Sequence, residues 1–387
     1  MPEAVIVAAG RSPIGRAGKG SLIGVRPDDL AAYVTCKVLE QVPQLERTDI
    51  DDLLCGCGLP GGEQGFNLGR VISILTGLKV PGCTVTRYCS SSLQTTRMAM
   101  HAIRAGEGDA FISVGVECVS RYGNGTSDPD DARNPRLVPG NAEGYPDVYI
   151  AMGLTAENVA EREGIGREEM DRFAVNSQNR AVEAQADGFF AREIVPVPLP
   201  GGEMMTKDDG PRPGTTMEVL ATLKPVFREN GRVTAGNACP LNDGAAAVVV
   251  MSDRKAQELG IKPLARVIAT GVSALEPEFM GLGPIEASKQ ALKRAGMTID
   301  DVDIVEINEA FAAQVIPSAR GIGVDPFGDK LNPHGGSIAL GHPYGMTGAR
   351  ILCTLLNGLR ARDKTIGLET MCVGGGQGMA MIVERLS

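Results

Sequence analysis

One cysteine in the sequence stands at the start of a helix-like pattern, in the run RYCSSSLQTTRMAM that begins at Arg87. Helical spacing extends from Ser91 to Ala105, and Gly106 is a typical helix stop, so Cys89 lies at the predicted helix N-terminus. Unpaired N–H groups and the positive end of the helix dipole stabilise a thiolate there, which predicts a nucleophile of low pKa. Read alone, the motif also fits a small buried Cys beside three serines that cap the helix.

Three further polar residues follow or end strand patterns in the C-terminal third. Asn308 follows DIVEI, His342 lies in HGGSIALGHPYG, and Cys372 precedes the glycine turn of MCVGGGQG. Each has a structural alternative, namely a helix cap, a hydrogen-bonded buried imidazole and a core filler. Ligand sites in α/β folds favour the carboxyl ends of strands, so we predict that these three side chains converge with Cys89 on one site.

The elements that must position these residues alternate between strand and helix patterns, which is typical of an α/β sheet with crossover helices. The two ends of the chain also repeat each other. RTDIDDLLCGCGL parallels MTIDDVDIVEINEA, TVTRYCSSSLQTTRMAMHAIRAG parallels LNPHGGSIALGHPYGMTGARILCTLLNGL, and DAFISVGVECVS parallels GLETMCVGGGQGMAMIVE. Three matches in the same order predict a duplicated unit. In the second copy we expect a strand at DKLN and one long helix over 337–359.

The middle of the chain interrupts this rhythm and predicts an insertion. We expect an N-terminal half over residues 1–119 and 243–262, an inserted loop domain over 120–242, and a C-terminal half over 263–387. The stretch Tyr122–Val148 is dense in Gly, Pro, Asn and Asp and should be irregular. Long excursions from compact domains usually cover a site or carry function, so the insertion should cover the active site.

Composition narrows the class of protein. A net charge of −9 and a pI near 5.1 argue against a nucleic-acid or membrane-surface protein. The nine Cys lack paired metal-ligand spacing, so we expect reduced thiols, no metal and a cytoplasmic location. The N-terminal AVIVAAG is too short for a signal peptide and has no basic flank; it fits a first strand.

Seven motifs together resemble the thiolase family over essentially the whole chain: RYCSSSLQ, MGLTAENVA, TAGNACPLNDGAA, MGLGP, NEAFAAQ, GGSIALGHPYGMTGAR and CVGGGQGMA. The resemblance implies two βαβαβαββ halves in a five-layer αβαβα arrangement with an inserted loop domain, assembled as homodimers or homotetramers. It implies an acetyl-CoA C-acyltransferase of fatty acid β-oxidation. Such an enzyme cleaves a 3-ketoacyl-CoA with CoA, reversibly, to acetyl-CoA and a shortened acyl-CoA.

The same resemblance implies roles for the predicted site. Cys89 would be the nucleophile that forms the acyl-enzyme, and His342 would activate it and donate a hydrogen bond to the thioester oxygen. Cys372 would be the acid and base, and Asn308 would hold an ordered water. Backbone N–H groups of Cys89 and Gly374 would meet the developing oxyanion.

Substrate contacts are also implied by resemblance, with CoA as co-substrate and no tightly bound cofactor. Arg212 in KDDGPRPGTT would contact the adenosine end of CoA, and Cys239 would lie along the pantetheine arm. Met152, Met280 and Phe311 match acyl-pocket positions, where Met suits chains of different shape because it repacks readily.

The sequence departs from the family pattern at four places. Cys239-Pro240 replaces a Ser-Gly or Ser-Ala pair, Ser92 stands where many relatives have Gly, and His334 stands where Asn is usual. Ala151 lacks the His of short-chain biosynthetic members, which suggests a wider acyl range.

Four alternatives remain open at the sequence level. The first is a biosynthetic acetyl-CoA acetyltransferase specific for acetoacetyl-CoA. The second is a ketosynthase-type condensing enzyme, which would be expected to carry a His at the position of Asn308. The third is a non-catalytic acyl-CoA carrier of the same fold. The fourth is a nucleotide-binding dehydrogenase, for which GGGQG is weak support without a GxGxxG in an N-terminal βαβ unit.

Overall fold

The computed structural model of the chain describes residues 2–122 and 132–387. Within these residues the chain forms twelve strands, ten of which join in one sheet. The strands are β1 Ala4–Arg11, β2 Gly15–Arg16, β3 Asp52–Cys57, β4 Gly82–Val85, β5 Ala110–Cys118, β6 Val197–Pro198, β7 Met204–Met205, β8 Asn242–Ser252, β9 Ala265–Ala274, β10 Ile304–Ile307, β11 Ile366–Val373 and β12 Gln377–Arg385.

The helices alternate with these strands as the sequence patterns predict. They are α1 Pro27–Leu39, α2 Leu68–Leu75, α3 Ser91–Ala105, α4 Met152–Arg162, α5 Arg167–Ala186, α6 Met217–Ala221, α7 Asp253–Glu258, α8 Gly283–Ala295, α9 Ala312–Ile322, α10 Ser337–Leu340 and α11 Thr347–Ala361. In the part of the chain that is described, none of them combines the length and the hydrophobicity needed to cross a bilayer.

The sheet confirms the predicted duplication. One part has the strand order β4-β3-β5-β8-β1 and the other has the order β10-β11-β12-β9. In the first part β3 is parallel to β4 and β5, and in the second part β10 is parallel to β11. The other neighbours within each part are antiparallel: β5 with β8 and β8 with β1, and β11 with β12 and β12 with β9. A lone parallel bridge between Val305 and Leu331 takes the place that β4 has in the first part. Two residue pairs join the parts, Val5 with Arg266 and Ile6 with Ala265.

Helices cover both faces of each part, and three hydrophobic clusters lie between the layers. One packs α1 and α2 on the outer face of the first part, and another packs α8 and α9 on the outer face of the second. The third lies between the two parts, where Leu93 and Met100 of α3 and Leu352 and Leu355 of α11 pack together. Strands buried on both faces read as continuous small and apolar runs, and β8 is buried throughout.

Glycines allow the central helices to approach the strands closely. A Cβ at Gly56 of β3 would collide with the backbone of Ser91 and Ser92, and one at Gly348 of α11 would collide with the backbone N of Leu93. The N-terminus of α3 therefore lies directly against β3, and α11 lies directly against α3. This close packing accounts for part of the high Gly content.

Two expectations for the second copy are wrong. The helix expected over 337–359 is two helices, because the backbone at Gly341 has a φ of +111° and Pro343 follows in an irregular turn. DKLN is not a strand; its contribution is the single bridge at Leu331. The helix prediction fails because regular helical spacing on both sides of Gly341 hides the short break. The strand prediction fails because a run of four residues is too short to distinguish a strand from a single bridge.

The segment between β5 and β8 leaves the sheet, although these two strands are hydrogen-bonded neighbours. It carries α4, α5, the β6–β7 hairpin and α6; of the loop predicted at Tyr122–Val148, residues 123–131 lie outside the described residues. Arg11 of β1 holds it through buried ion pairs with Glu193 at 2.6 Å and Asp208 at 2.8 Å. The domain boundaries set out above stay predictions.

Candidate active site

Cys89 lies in a short 3-10 turn, Tyr88–Ser90, that leads directly into α3, whose bounds match the predicted helix. The backbone enters this turn through Tyr88 with a φ of +42°, which is uncommon for a residue other than glycine. The residue Cys89 is 9% exposed, and backbone N–H groups of Gly374 and of Cys89 itself form hydrogen bonds to its thiol. The structure thus brings Gly374, from the other part of the sheet, beside Cys89.

The expectation of a preformed thiolate is wrong for the free protein. Burial raises the pKa of the Cys89 thiol to about 12, and the charge of Glu117 also raises it. The backbone N–H groups of Gly374 and Cys89 lower the pKa, but burial has the larger effect. Cys89 therefore rests as a neutral thiol.

The three serines after Cys89 do not cap α3 with their side chains. Ser90 Oγ donates to the carbonyl of Arg87 at 3.1 Å, and Ser91 Oγ donates to the carbonyl of Tyr88 at 2.7 Å. Ser92 Oγ accepts a hydrogen bond at 2.9 Å from the backbone N–H of Ala349, in the first turn of α11. Ser92 thus links the two central helices.

His342 lies in the turn between α10 and α11, and both of its ring nitrogens have partners. Nδ1 lies 2.6 Å from Thr347 Oγ1, and that hydroxyl donates its proton to the carbonyl of Pro343 at 2.8 Å. Nδ1 must therefore carry the ring proton and donate to Thr347, which leaves a lone pair on Nε2. Nε2 accepts from Asn308 Nδ2 at 3.3 Å.

The environment of His342 keeps the imidazole neutral. Burial is the main cause that lowers its pKa to about 3, and the positive charge of Arg350 lowers it further. The backbone N–H of His342 donates to Asn242 Oδ1 at 2.9 Å, which anchors the turn to the start of β8. A neutral imidazole whose Nε2 carries no proton is a proton acceptor, as a general base must be.

Asn308 lies directly after β10, where its backbone N–H donates to the carbonyl of Thr370 at 3.0 Å. Its Oδ1 accepts from Ser337 Oγ at 2.6 Å, and Ser337 Oγ accepts from Arg350 Nη2 at 2.8 Å. The structure thus brings Asn308 and His342 into direct contact, as predicted from their positions at strand ends. The water that Asn308 was expected to hold stays a prediction.

Cys372 is the second-last residue of β11, opposite Gly378 of β12, and is fully buried. Burial raises the pKa of its thiol well above the ordinary value, and electrostatic interactions with Cys89 and Cys239 raise it further. The three sulfurs therefore share one region. The turn after β11 contains Gly375 and Gly376 with φ of +77° and +80°, so glycine suits both positions.

A cavity of about 270 Å³ opens beside this region. Its lining includes Gln178, Arg212, Ala238 and Pro240. The backbone N–H of Arg212 donates to Gln178 Oε1 at 2.9 Å, while burial and the charge of Arg16 lower the pKa of the Arg212 guanidinium. An arginine in the cavity wall, with the charge of Arg16 acting on it, suits an anionic group.

Cys239 is close to both that cavity, whose wall includes its neighbours Ala238 and Pro240, and the buried thiols. Its backbone N–H donates to the carbonyl of Ala310 at 3.0 Å, and its neighbour Ala238 pairs with Phe311 in an isolated bridge. Burial raises the pKa of the Cys239 thiol, and Cys89 contributes to that rise. Cys239 is therefore near both the cavity and the predicted nucleophile.

The predicted acyl-pocket residues differ in exposure. Met280 and Phe311 are 2% and 7% exposed, and Met152 begins α4. A Cβ built at Gly374 would lie 3.7 Å from Met152 Sδ, so Met152 is next to the Cys89 region. The ring of Phe227 meets that of Phe311 edge-on at a centroid distance of 6.3 Å, which adds a residue that sequence reasoning missed.

Sequence reasoning also missed the residues that hold the His342 turn. Thr347, Ser337 and Arg350 all lie in GGSIALGHPYGMTGAR, where only His342 was assigned a role. Glu117, at the end of β5, accepts a hydrogen bond from the backbone N–H of Gly345 at 2.9 Å and so ties the first half to this turn. The sequence signal that could have identified Glu117 is an acidic residue near the end of the otherwise apolar strand β5.

His334 takes no part in this contact network. Its ring stacks on Phe189 with a centroid distance of 3.7 Å and an angle of 12° between planes. Burial lowers its pKa to about 4. His334, one of the departures from the family pattern, therefore serves packing against Phe189 in the described structure.

A duplicated α/β fold with thiols, imidazole and amide at its strand ends defines a class of enzyme, and comparison with known proteins identifies it. The family model described as "Thiolase, N-terminal domain" matches residues 4–254, and "Thiolase, C-terminal domain" matches 261–385. The chain belongs to the thiolase family. It has thiolase activity, which is an acyl transfer, and its substrates are CoA thioesters.

Relatives share this identity over their full length. The "3-ketoacyl-CoA thiolase" of Bacillus subtilis is 43% identical over 398 residues, with 99% of this chain and all of the relative covered. The "3-oxoadipyl-CoA/3-oxo-5,6-dehydrosuberyl-CoA thiolase" of Escherichia coli is also 43% identical, over 403 residues and the whole of both chains. The crystal structure of the Bacillus anthracis acetyl-CoA acetyltransferase has a TM-score of 0.90 at 36% identity, covering 100% of this chain and 99% of that one.

Proposed function

We propose that this thiolase cleaves 3-ketoacyl-CoA esters with apolar acyl chains, as in fatty acid β-oxidation, in preference to esters that end in a second carboxylate. The observation that carries this proposal is the apolar surroundings of the turn after β11. Cβ atoms built at Gly374 and Gly375 would lie 3.5 Å from the ring of Tyr88 and 3.4 Å from Val148 Cγ2. A carboxylate buried there would need a cationic partner.

Two cations stand close to this region, and both have partners. Arg87, which precedes Tyr88, donates from Nε to Gln94 Oε1 at 3.1 Å and from Nη1 to Gln377 Oε1 at 2.9 Å, so these N–H groups are engaged. Arg228, which follows Phe227 in the chain, forms an ion pair with Glu161 at 2.9 Å. Met152, Met280 and Phe311 supply side chains that suit chains of different length. The absence of a His at Ala151 supports the same proposal over the alternative of an enzyme specific for acetoacetyl-CoA.

In the proposed mechanism the Cys89 sulfur attacks the ketone carbon, and His342 Nε2 takes the thiol proton as the bond forms. Asn308 Nδ2 must yield its hydrogen bond at that moment, because it occupies the same lone pair in the resting protein. The ketone oxygen becomes an oxyanion, which the N–H groups of Cys89 and Gly374 stabilise.

Collapse of this adduct breaks the bond between the α carbon and the former ketone carbon. The electron pair leaves as the enolate of acetyl-CoA, whose oxygen accepts from protonated His342 and from Asn308, directly or through a water. Cys372 donates its proton to the enolate carbon and becomes a thiolate. That thiolate then removes the proton of the incoming CoA thiol, whose sulfur displaces Cys89 from the acyl-enzyme, and His342 returns the proton to Cys89.

CoA enters as a co-substrate with no other bound cofactor in this proposal. Arg212 in the cavity wall would contact the adenosine phosphates, and Cys239 would lie along the pantetheine arm. The first contact is supported by the half-buried guanidinium, and the second by the nearness of Cys239 to both the cavity and Cys89.

We also propose a cytoplasmic homodimer or homotetramer that binds neither nucleic acid nor membrane. Phe66, just before α2, is 99% exposed, and Ile74, near the end of α2, is 60% exposed. Both are close in sequence to β4, the strand at one end of the sheet. Apolar side chains beside an open strand edge favour self-association. Light scattering coupled to size exclusion measures the assembly.

The substrate test compares 3-oxohexanoyl-CoA with 3-oxoadipyl-CoA, which have equal chain lengths and differ in the terminal carboxylate. We expect kcat/KM for CoA-dependent cleavage to be at least about tenfold higher for 3-oxohexanoyl-CoA, since a second charge would be desolvated without a partner. A preference for 3-oxoadipyl-CoA contradicts the proposal. A series of 3-ketoacyl-CoA esters of increasing length tests the acetoacetyl-CoA alternative, which would cleave only the shortest.

A further inference from the structure

Two buried carboxyl groups lie side by side beneath the proposed active site and are not used by its mechanism. Glu306 of β10 and Glu369 of β11 are direct partners in the parallel pairing of these strands. They are 2% and 0% exposed. Among the described residues, Glu306 Oε1 and both carboxyl oxygens of Glu369 have no hydrogen-bond partner. Such groups are costly to bury unless a charge lies opposite them.

Arg350 of α11 is the cation that faces this pair. It is 1% exposed, and it interacts electrostatically with both Glu306 and Glu369. Its Nη2 donates to Ser337, whereas its Nε and Nη1 have no partner among the described residues. A guanidinium stays charged at any physiological pH, so Arg350 needs a counter-charge.

The other charged groups near the cluster already have partners. Glu193 and Arg11 pair with each other, and Arg180 donates to the carbonyl of Leu331 at 2.6 Å. Glu309 accepts from Ser177, Asn332 and the backbone N–H of Ile338. The counter-charge of Arg350 is therefore the carboxyl pair. Two adjacent carboxylates repel each other, so the pair holds one proton and one negative charge.

The hydrogen bonds that leave Arg350 run in one direction only. Arg350 can only donate, so Ser337 Oγ accepts from it and must turn its own proton toward Asn308 Oδ1. With Oδ1 occupied in this way, the amide group of Asn308 must present Nδ2 to His342 Nε2. An Asn amide flipped by 180° would instead present an acceptor to a ring nitrogen that has no proton.

We propose that Glu306, Glu369 and Arg350 act with Ser337 as a positioning unit, which sets the orientation of the Asn308 amide and keeps it a donor toward His342 and the substrate oxygen. None of the four touches substrate in this proposal. The inference rests on the proposed roles of Asn308 and His342.

The first test removes the link between the cluster and the amide. Ser337→Ala should lower kcat for thiolysis at least about tenfold and change KM for CoA less than about twofold, because Ser337 itself does not line the cavity proposed for CoA. Ser337→Thr, which keeps the hydroxyl, should recover most of the lost kcat. The matched control is Ser318→Ala, since Ser318 is a buried serine of α9 that donates to the carbonyl of Gly281 at 2.9 Å, away from this chain of hydrogen bonds. A Ser337→Ala enzyme with unchanged kcat overturns the proposal.

The second test separates positioning from stability. Glu369→Gln leaves one carboxylate for Arg350 and should keep kcat within about threefold. The double variant Glu306→Gln/Glu369→Gln leaves Arg350 without a counter-charge and should lower both Tm and kcat. Adding Arg350→Met to the double variant removes the stranded charge, so Tm should recover while kcat should not. Recovery of kcat together with Tm would show a purely structural cluster.

His342→Ala, measured in the same assay, distinguishes failure of the proposed mechanism from failure of the positioning unit. If that variant retains the full kcat, the proposed role of His342 fails, whatever the result for Ser337→Ala. If His342→Ala is inactive and Ser337→Ala is fully active, the mechanism stands and the positioning unit falls.

Discussion

At the scale of single residues, the proposed nucleophile and base both rest in their neutral forms. Burial raises the pKa of Cys89 to about 12 and lowers that of His342 to about 3. Proton transfer from thiol to imidazole is unfavourable until substrate supplies an electrophile, so the thiolate should exist only as the new bond forms. The site thereby limits side reactions of its thiol when no substrate is bound.

The alkylation rate of Cys89 tests this resting state. Iodoacetamide reacts with thiolate, so in the substrate-free protein its rate with Cys89 should be low at pH 7 and rise continuously up to pH 10, toward the raised pKa. Mass spectrometry of the Cys89 peptide measures the rate at each pH. A rate that reaches its plateau near neutral pH would mean a preformed thiolate.

The two thiols should fail in different ways when removed. Cys89→Ala should abolish thiolysis and condensation, with a loss of at least about 10⁴-fold, because no acyl-enzyme can form. Cys372→Ala should still acylate Cys89 slowly but lose turnover by about 10²–10⁴-fold, the usual range for a general acid–base group. Mass spectrometry of intact protein detects the acyl adduct. An adduct on Cys89→Ala protein would exclude Cys89 as the nucleophile.

At the scale of elements, the site depends on how closely the central helices approach the strands beneath them. Gly56 gives α3 that access, and the hydroxyl of Ser92 then supplies a hydrogen bond to the first turn of α11. Both contacts lie within a few residues of Cys89. A change in helix position here would move Cys89 relative to Gly374.

Gly56→Ala should therefore lower the free energy of unfolding by about 3 kcal/mol or more, the upper range for overpacking, because the new methyl group meets backbone that cannot rotate away. Denaturant unfolding followed by circular dichroism measures this loss. Gly201→Ala is the matched control, since a Cβ there has open space around it and should change stability by no more than about 0.5 kcal/mol. Equal stability of the two variants would contradict the close approach.

The elements also show what a sequence can and cannot predict. The bounds of α3 were predictable because helical spacing ended at Gly106, which has a φ of +78°. Cys89, Asn308, His342 and Cys372 were predictable because each stands where a strand or helix pattern changes. The break at Gly341 and the contacts of Ser337, Thr347 and Arg350 were not, since no periodicity encodes which side chains meet across a turn.

At the scale of the whole molecule, the buried carboxyl pair should make stability depend on pH. Burial raises the pKa of Glu306 to about 8, above its ordinary value of 4.5, and raises the pKa of Glu369 well above its ordinary value, so the folded pair keeps its shared proton where the unfolded chain has lost it. The stability linked to this proton is fully present below pH 4.5 and is lost as pH rises toward 8, by up to about 1.4 kcal/mol per pH unit.

Glu306→Gln should flatten this dependence, because the amide cannot ionise in either state. We expect Tm of the native protein to fall between pH 5 and pH 8, and the Glu306→Gln variant to fall less over the same interval. Thermal unfolding across buffers of matched ionic strength checks the comparison. An equal or steeper fall in the variant would mean that Glu306 is ionised in the folded protein over this interval and holds no proton.

The hydrogen bond from Gly345 to Glu117 crosses from the second copy of the fold to the first, while Gly374 crosses back to Cys89. Each copy thus contributes a backbone N–H group that hydrogen-bonds a side chain of the other copy. One copy alone could therefore build such a centre only by pairing with a second copy, and in this chain both copies are covalently joined, so each can carry a different part of the chemistry.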